Sequence, residues 1–252
     1  MPGDFDLSDA NRVALVTGCS RPQGIGFETC RQLGQQGFAV ILTARDADKA
    51  ETLASELRNE GLDATAHALD ISNTDSVKAV IELIDKQYGG LDTLVNNATG
   101  SAGRNMAPPS TADLDLARQI IDVTLLGTWR MIQAAIPLLK NSSAPCIVNV
   151  SSSAGLHSDP ILGLTGKSKA PPAYGIAKAA LNALTARFAD ELQETAIKVN
   201  AVCPGFTATF PGMERLGARS VAEATKGIVW AATLDKAGPS GGFYRDNELQ
   251  EW

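Results

Sequence analysis

LVTGCSRPQGIGFE, residues 15–28, decides how the rest of the chain is read. A short apolar run ends in a glycine turn, and a second pair of glycines, Gly24 and Gly26, opens a helical pattern. Strand, glycine turn and helix in that order make a cradle for an anion, because the free N–H groups and the dipole of a helix N-terminus favour negative charge. The turn is unusual: five residues, Cys19 to Gln23, separate Gly18 from Gly24. Pro22 among them removes one N–H donor and fixes its own φ.

Outward from this stretch, short β-rich apolar runs alternate with helical ones. VALVT (13–17), AVILTA (39–44), ATAHALD (64–70), TLVNNA (93–98), CIVNVSS (146–152) and KVNAVCP (198–204) read as buried strands, with a last short one at GGFY. Helices are expected at Ile25–Gln36, Ala47–Glu60, Thr74–Tyr88, Leu114–Leu139, Tyr174–Thr195 and Val221–Leu234. This alternation predicts right-handed βαβ units: an α/β fold, one doubly wound Rossmann domain over 1–252 with a mostly parallel sheet of about seven strands. Residues 1–11 read as a flexible start. Loops 154–173 and 206–220, rich in Gly, Pro and Ser, read as the substrate-side segments. In such sheets ligands bind beyond the carboxyl ends of the strands, which singles out Thr17-Gly18, Ala44-Arg45, Asp70, Asn96-Asn97-Ala98, Ser151-Ser152 and Pro204-Gly205.

Composition narrows the partners. A net charge of −6 without any basic run argues against nucleic acid and anionic membranes. No segment has the ~18–20 uninterrupted apolar residues of a membrane span, and the acidic N-terminus lacks a signal peptide's plan; a cytoplasmic protein is expected. Cys19, Cys30, Cys146 and Cys203 show no metal-binding spacing. Cys146 and Cys203 lie in strand-like runs and read as buried. Cys19, in the glycine turn, is the one open to exposure and oxidation. His67 and His157 are isolated, which argues against a histidine-based or metal site.

At the end of the second strand stands Arg45-Asp46. A carboxylate there pairs with a ribose 2′-hydroxyl, whereas a guanidinium suits a 2′-phosphate through charge-assisted bonds. Arg45 comes first, so NADP(H) is favoured over NAD. Arg21 is either a second positive charge for the cofactor or a solvated loop residue. Farther on, YGIAK places Tyr174 and Lys178 four residues apart on one helix face. An ammonium beside a phenol is expected to bring its pKa down from ~10 toward the working range.

TG…GIG, LD at 69–70, NNA at 96–98, NVSS at 149–152, YGIAK at 174–178 and CPGFTAT at 203–209 occur in order. Across nearly its whole length the chain resembles the short-chain dehydrogenase/reductase family, most of all its carbonyl reductases, through LTARD (42–46), YGGLDTLVNNA (88–98) and NAVCPGFTAT (200–209). The resemblance implies an NADPH-dependent reduction of a ketone or aldehyde. Tyr174 would be the proton donor, Lys178 its modulator and a ligand of the nicotinamide ribose, and Ser152 the group holding the substrate carbonyl. It implies a cofactor site of Gly18, Ser20, Arg21, Gly24, Ile25, Gly26, Arg45, Asp70, Ile71, Asn97, Ala98, Tyr174, Lys178, Pro204, Gly205, Thr207 and Thr209. Asp70 would meet the adenine amino group, with Ile71 beside the ring.

The chain departs from the family pattern in three places. The glycine turn is two residues longer than TGxxxGIG, and the extra length is expected to bulge outward. Thr124 stands where the family carries an asparagine that helps hold a water near the lysine, and it takes that place in the catalytic set. Thr99 replaces the glycine of NNAG. These departures keep two alternatives in view: lyase, isomerase or cyclase chemistry on the same scaffold, and a non-catalytic dinucleotide-binding protein. Few charges lie near the expected site apart from Arg104, which favours a neutral or hydrophobic carbonyl substrate. The 154–173 loop is intermediate in length between the family's shortest members and its monomeric carbonyl reductases. Monomer and homo-oligomer are therefore both open.

Overall fold

A computed structural model of the chain describes residues 12–100, 106–165, 168 and 170–251. Arg104 and the expected flexible start at 1–11 lie outside the described residues. Strands β1 (Val13–Val16), β2 (Ala39–Ala44), β3 (Ala64–Ala68), β4 (Thr93–Asn96), β5 (Cys146–Val150), β6 (Lys198–Val202), β7 (Phe243–Arg245) and β8 (Glu248–Leu249) form one sheet in the order β3-β2-β1-β4-β5-β6-β7-β8. All pairings are parallel except β7 with β8. Among the described residues the sheet has eight strands, in line with the expected mostly parallel sheet of about seven. The extra one is an exposed two-residue return after Asp246 and Asn247, both at positive φ, which is the backbone a tight hairpin turn requires.

Helices α1 (Ile25–Gln35), α2 (Ala47–Asn59), α3 (Thr74–Tyr88), α4 (Leu114–Ile121), α5 (Thr128–Leu139), α6 (Pro172–Glu191) and α7 (Val221–Ala232) cover both faces. On one face Phe27, Leu33, Leu53, Leu57 and Ile228 pack on Val16, Val40 and Val148. On the other, Val80, Ile84, Met131, Leu138, Leu181 and Phe188 pack on Leu15, Leu94 and Ile147. Each central strand is apolar on both sides because each has helices on both.

Two expected helices differ most from their reading, while the ends of the others agree within two residues. The run Leu114–Leu139 is broken by a π-turn at Asp122–Gly127. α6 starts two residues before Tyr174, with Pro172 in its first turn, and ends at Glu191; proline suits that position because its missing N–H would have no partner there. The strand order reverses between β1 and β4, and beyond the carboxyl ends at such a switch point, here bordered by the loops after β1, β4, β5 and β6, these sheets bind ligands in a crevice.

Candidate active site

The extra residues of the glycine turn are absorbed locally. Gly24 N–H donates to the Arg21 carbonyl at 3.0 Å, closing a β-turn with Pro22 at its second position, where its fixed φ fits. The bulge leaves Ser20, Arg21 and Pro22 exposed. The cradle itself is intact. Gly18 has φ +76°, and a Cβ on it would stand 2.7 Å from Ala98 Cα; one on Gly26 would stand 2.6 Å from Asn97 Nδ2. No side chain fits at either place. Gly24 caps α1 without a side-chain bond, so the cap itself takes none of the free N–H groups of the first turn, which starts at Ile25. Thr17 Oγ1 accepts from the N–H of Asn97 and of Ala98, both at 3.0 Å, and Asn97 Nδ2 donates to the carbonyls of Thr17 (2.8 Å) and Gly18 (3.2 Å). The β1 and β4 ends are thus fastened to each other. Such a cradle fits the diphosphate of a dinucleotide.

Cys19 is buried at the base of this turn, its Sγ 3.8 Å from that of Cys30, so exposure of Cys19 is ruled out. Cys146 and Cys203 are buried as expected. At the end of β2, Arg45 is exposed, while Asp46 caps α2 by accepting from Lys49 N–H and pairs with the Lys49 ammonium at 3.1 Å. That carboxylate already has work in the helix, and Arg45 does not. Asp70 Oδ1 accepts from Ser72 N–H and Oγ. The Ser72 hydroxyl is the main cause holding the Asp70 carboxyl below its ordinary range, with Arg45 and Arg130 adding to it. Ile71 is buried, its side chain packed where a Cβ on Gly127 would fall.

The residues expected to react come together at the ends of β5 and α6. Ser152 follows β5 and caps a short 3₁₀ turn, its Oγ accepting from Ala154 N–H at 3.2 Å. Tyr174 sits in the first turns of α6, with Lys178 one turn on. The Lys178 ammonium is buried, donates to the Val150 carbonyl at 2.6 Å and lies 5.6 Å from the Tyr174 ring centre. Burial lowers the Lys178 pKa to about 8. Burial also raises that of Tyr174, against the opposing effect of a hydrogen bond with Ser152. The expectation of a phenol brought down by its lysine is therefore corrected: desolvation outweighs the Ser152 hydrogen bond, and the ammonium is turned toward Val150. Tyr174 in this setting keeps its proton at neutral pH.

Thr124 lies in the π-turn and is buried. Its hydroxyl is 3.0 Å from that of Thr99 and accepts from Gly100 N–H at 3.2 Å. The two departures from the family pattern are partners in one contact. After β6, Pro204 and Thr207 are buried and Gly205 takes φ +75°. Thr207 Oγ1 donates to Gly205 O at 3.0 Å, and Thr209 is half-buried.

Three supports escaped the sequence reading. Ser151 Oγ donates to Asn182 Oδ1 at 2.5 Å, fastening the residue before Ser152 to α6. Asn96 donates to Asn149, which donates to Thr185. Cys203 Sγ accepts from the N–H of Ser153 and of Gly205. For Asn182 a signal was present: Tyr174, Lys178 and Asn182 recur every four residues and so share a helix face.

Residues 12–217 match the family model described as short chain dehydrogenase. A (+)-neomenthol dehydrogenase of Arabidopsis thaliana is 33% identical over 96% of this chain and 98% of its own. Carbonyl reductase (NADPH) 1 of Sus scrofa is 30% identical over 98% of this chain and 96% of its own. Among solved structures, a metagenomic short-chain oxidoreductase in complex with NADP superposes with a TM-score of 0.76, at 29% identity, over 93% of this chain and 96% of that one.

Proposed function

The chain belongs to the short-chain dehydrogenase family, and on that premise we propose that it is an NADPH-dependent reductase of a neutral ketone or aldehyde. The observation that carries the reading is the meeting of Ser152, Tyr174 and Lys178 at the carboxyl edge of the sheet, beside the cradle of Gly18 and Gly26. The cradle and the α1 N-terminus hold the diphosphate, and Arg45 the 2′-phosphate, since Asp46 is committed to Lys49. Asp70 and Ile71 take the adenine end, with Asn97 and Ala98 along the ribose and diphosphate. Pro204, Gly205, Thr207 and Thr209 border the nicotinamide end, and Lys178 serves the nicotinamide ribose. Bound there, the cofactor's contribution is a hydride for the carbonyl carbon.

The chain's own residues do the rest. Ser152 Oγ–H holds the substrate oxygen in the place where Tyr174 can reach it. Tyr174, protonated because burial raises its pKa, gives its proton to that oxygen as charge develops. Lys178, protonated below about 8, stabilises the phenolate left behind. Leu164, whose side chain lies against Gly175, and exposed Ile161 and Phe206 offer an apolar border suited to a neutral substrate. Support for NADPH over NADH comes from Arg45 and from the relatives whose names carry NADPH or NADP.

The test is NADPH consumption by the purified protein over a panel of neutral ketones and aldehydes. One alcohol formed per NADPH oxidised, with NADH much poorer, is the expected result. Arg45→Ala should narrow that preference by about tenfold or more, the worth of a charge-assisted bond. Product formed with NADPH unchanged would move the chain to lyase, isomerase or cyclase chemistry. Tight binding with no turnover on any carbonyl would leave a non-catalytic binder.

A further inference from the structure

The lengthened glycine turn makes a contact that the turn's cofactor role does not require. The Arg21 guanidinium lies over the ring of Phe210, 4.3 Å from its centre. Among the described residues Arg21 forms no ion pair. Phe210, 57% exposed, belongs to the segment between β6 and α7. The base of that segment is pinned by bonds from Ala208 N–H to Arg219 O and from Arg219 N–H to Phe206 O, both 2.9 Å. Its tip turns at Gly212 and Gly217, both at positive φ and both without a heavy atom within 4 Å of a would-be Cβ. The base is fixed and the tip is loosely packed.

The contact joins distant parts of the sheet edge. β4 and β5 stand between β1 and β6, so the loops it connects arise about 14 Å apart, three strand spacings. Between them lie the ends that carry Asn97, Ala98 and Ser152. An arginine on an aromatic face is attracted to the ring's negative quadrupole, and the stack holds the tip of the β6–α7 segment against the cofactor loop.

We propose that Arg21 is a latch: stacked on Phe210, it fastens the 206–219 segment to the glycine loop across the crevice, so that dinucleotide release waits on this contact. The inference rests on the NADP(H) reading above. It assigns to Arg45 the discrimination of the 2′-phosphate and gives Arg21 a positioning role blind to that group.

Stopped-flow release of NADPH and of NADH, followed by cofactor fluorescence, tests it on wild type, Arg21→Gln, Phe210→Ala and the double variant. Both side chains are largely on the surface, so the variants fold. The latch predicts that each single change speeds release of both cofactors by about two- to fivefold, as an exposed cation–π contact would, and that the double variant is no faster than either single. A phosphate ligand at position 21 would give a loss for NADPH alone with Phe210→Ala silent, and that result overturns the latch. So would unchanged rates, or a double variant whose effect is the product of the singles. Failure of the wild type to bind either cofactor would instead overturn the NADP(H) reading, and the latch with it.

Discussion

The two glycine-rich regions that border the crevice are built in opposite ways. In the turn after β1, the Cβ positions of Gly18 and Gly26 are closed by Ala98 and Asn97, and Thr17 and Asn97 lace the turn to β4. In the segment after β6, Gly212 and Gly217 face open space, and Phe206, Phe210 and Leu216 are exposed. Glycine serves close approach in the first and backbone reversal in the second. The first region fixes a shape for a group common to every turnover. The second has an exposed, loosely packed tip. The proposed reacting trio stands between them on β5 and α6, whose ends are fastened to each other by the bonds from Lys178 to Val150 and from Ser151 to Asn182.

The largest effect is expected where that trio loses its proton. Tyr174→Phe should lower the rate of carbonyl reduction by about 10²–10⁴-fold, the usual worth of a positioned general acid. The NADPH dissociation constant should change far less than the rate, because the cradle of Gly18 and Gly26 and the Arg45 charge are untouched. Steady-state rates and a fluorescence titration on the same preparation check both halves. A variant that keeps a tenth of its activity would show that the proton comes from another group.

Next in size is a direct contest between the two regions. Gly18→Ala combines a left-handed backbone with a Cβ 2.7 Å from Ala98 Cα, and should cost about 2–4 kcal/mol together with most of the NADPH affinity. Gly212→Ala has the same kind of backbone but open surroundings, and should cost only about 1–2 kcal/mol with little change in affinity. Denaturant unfolding with and without NADPH separates them. Equal costs would mean that the two glycines do the same job and that the contrast fails.

β1, β2, β4 and β5 were legible because each is buried on both faces and therefore reads as a mostly apolar run; β8 was not, being two exposed residues after a turn. The cradle was legible for a related reason. Glycines at Gly18, Gly24 and Gly26 are demanded by close contact at their Cβ positions, and the identity of the residue reports the contact. The environment of Tyr174 was not. The i,i+4 spacing places Lys178 on the right face, but only the three-dimensional packing reveals that its ammonium turns to Val150 and that burial decides both pKa values. The bond between Thr99 and Thr124 joins residues 25 positions apart through a π-turn, and no local pattern announces it. Likewise Arg21 reads from the sequence as a charge for the cofactor, and its place over Phe210 depends on where a remote segment folds.

A smaller effect follows from the lysine. With its pKa lowered to about 8 by burial, Lys178 carries its positive charge below that pH and loses it above. Reduction needs the charge to support the phenolate, so the turnover number should be flat from about pH 6 to 7.5 and fall as pH rises through 8. The direction is the reverse of what a base-catalysed oxidation would give. A reduction rate still flat at pH 9.5 would show that the ammonium is held charged by a partner it meets only during turnover.

The smallest effect tests which region owns the loop after β4. Thr99 is exposed, yet its hydroxyl meets that of buried Thr124, which also accepts from Gly100 N–H. Thr99→Ala removes one partner and leaves the other, so Thr124 stays satisfied and the cost should be only about 0.5–1 kcal/mol of stability, the net worth of one neutral hydrogen bond. Thr124→Val removes the acceptor as well and strands Gly100 N–H, which should cost about 1–3 kcal/mol. In the double variant the Thr99 change should cost almost nothing, since the bond it would break is already gone. A coupling of that size, read by denaturant unfolding, would place Thr99 with the laced β1–β4 side. Strict additivity would detach it, and the loop would then belong with the loosely packed side of the comparison.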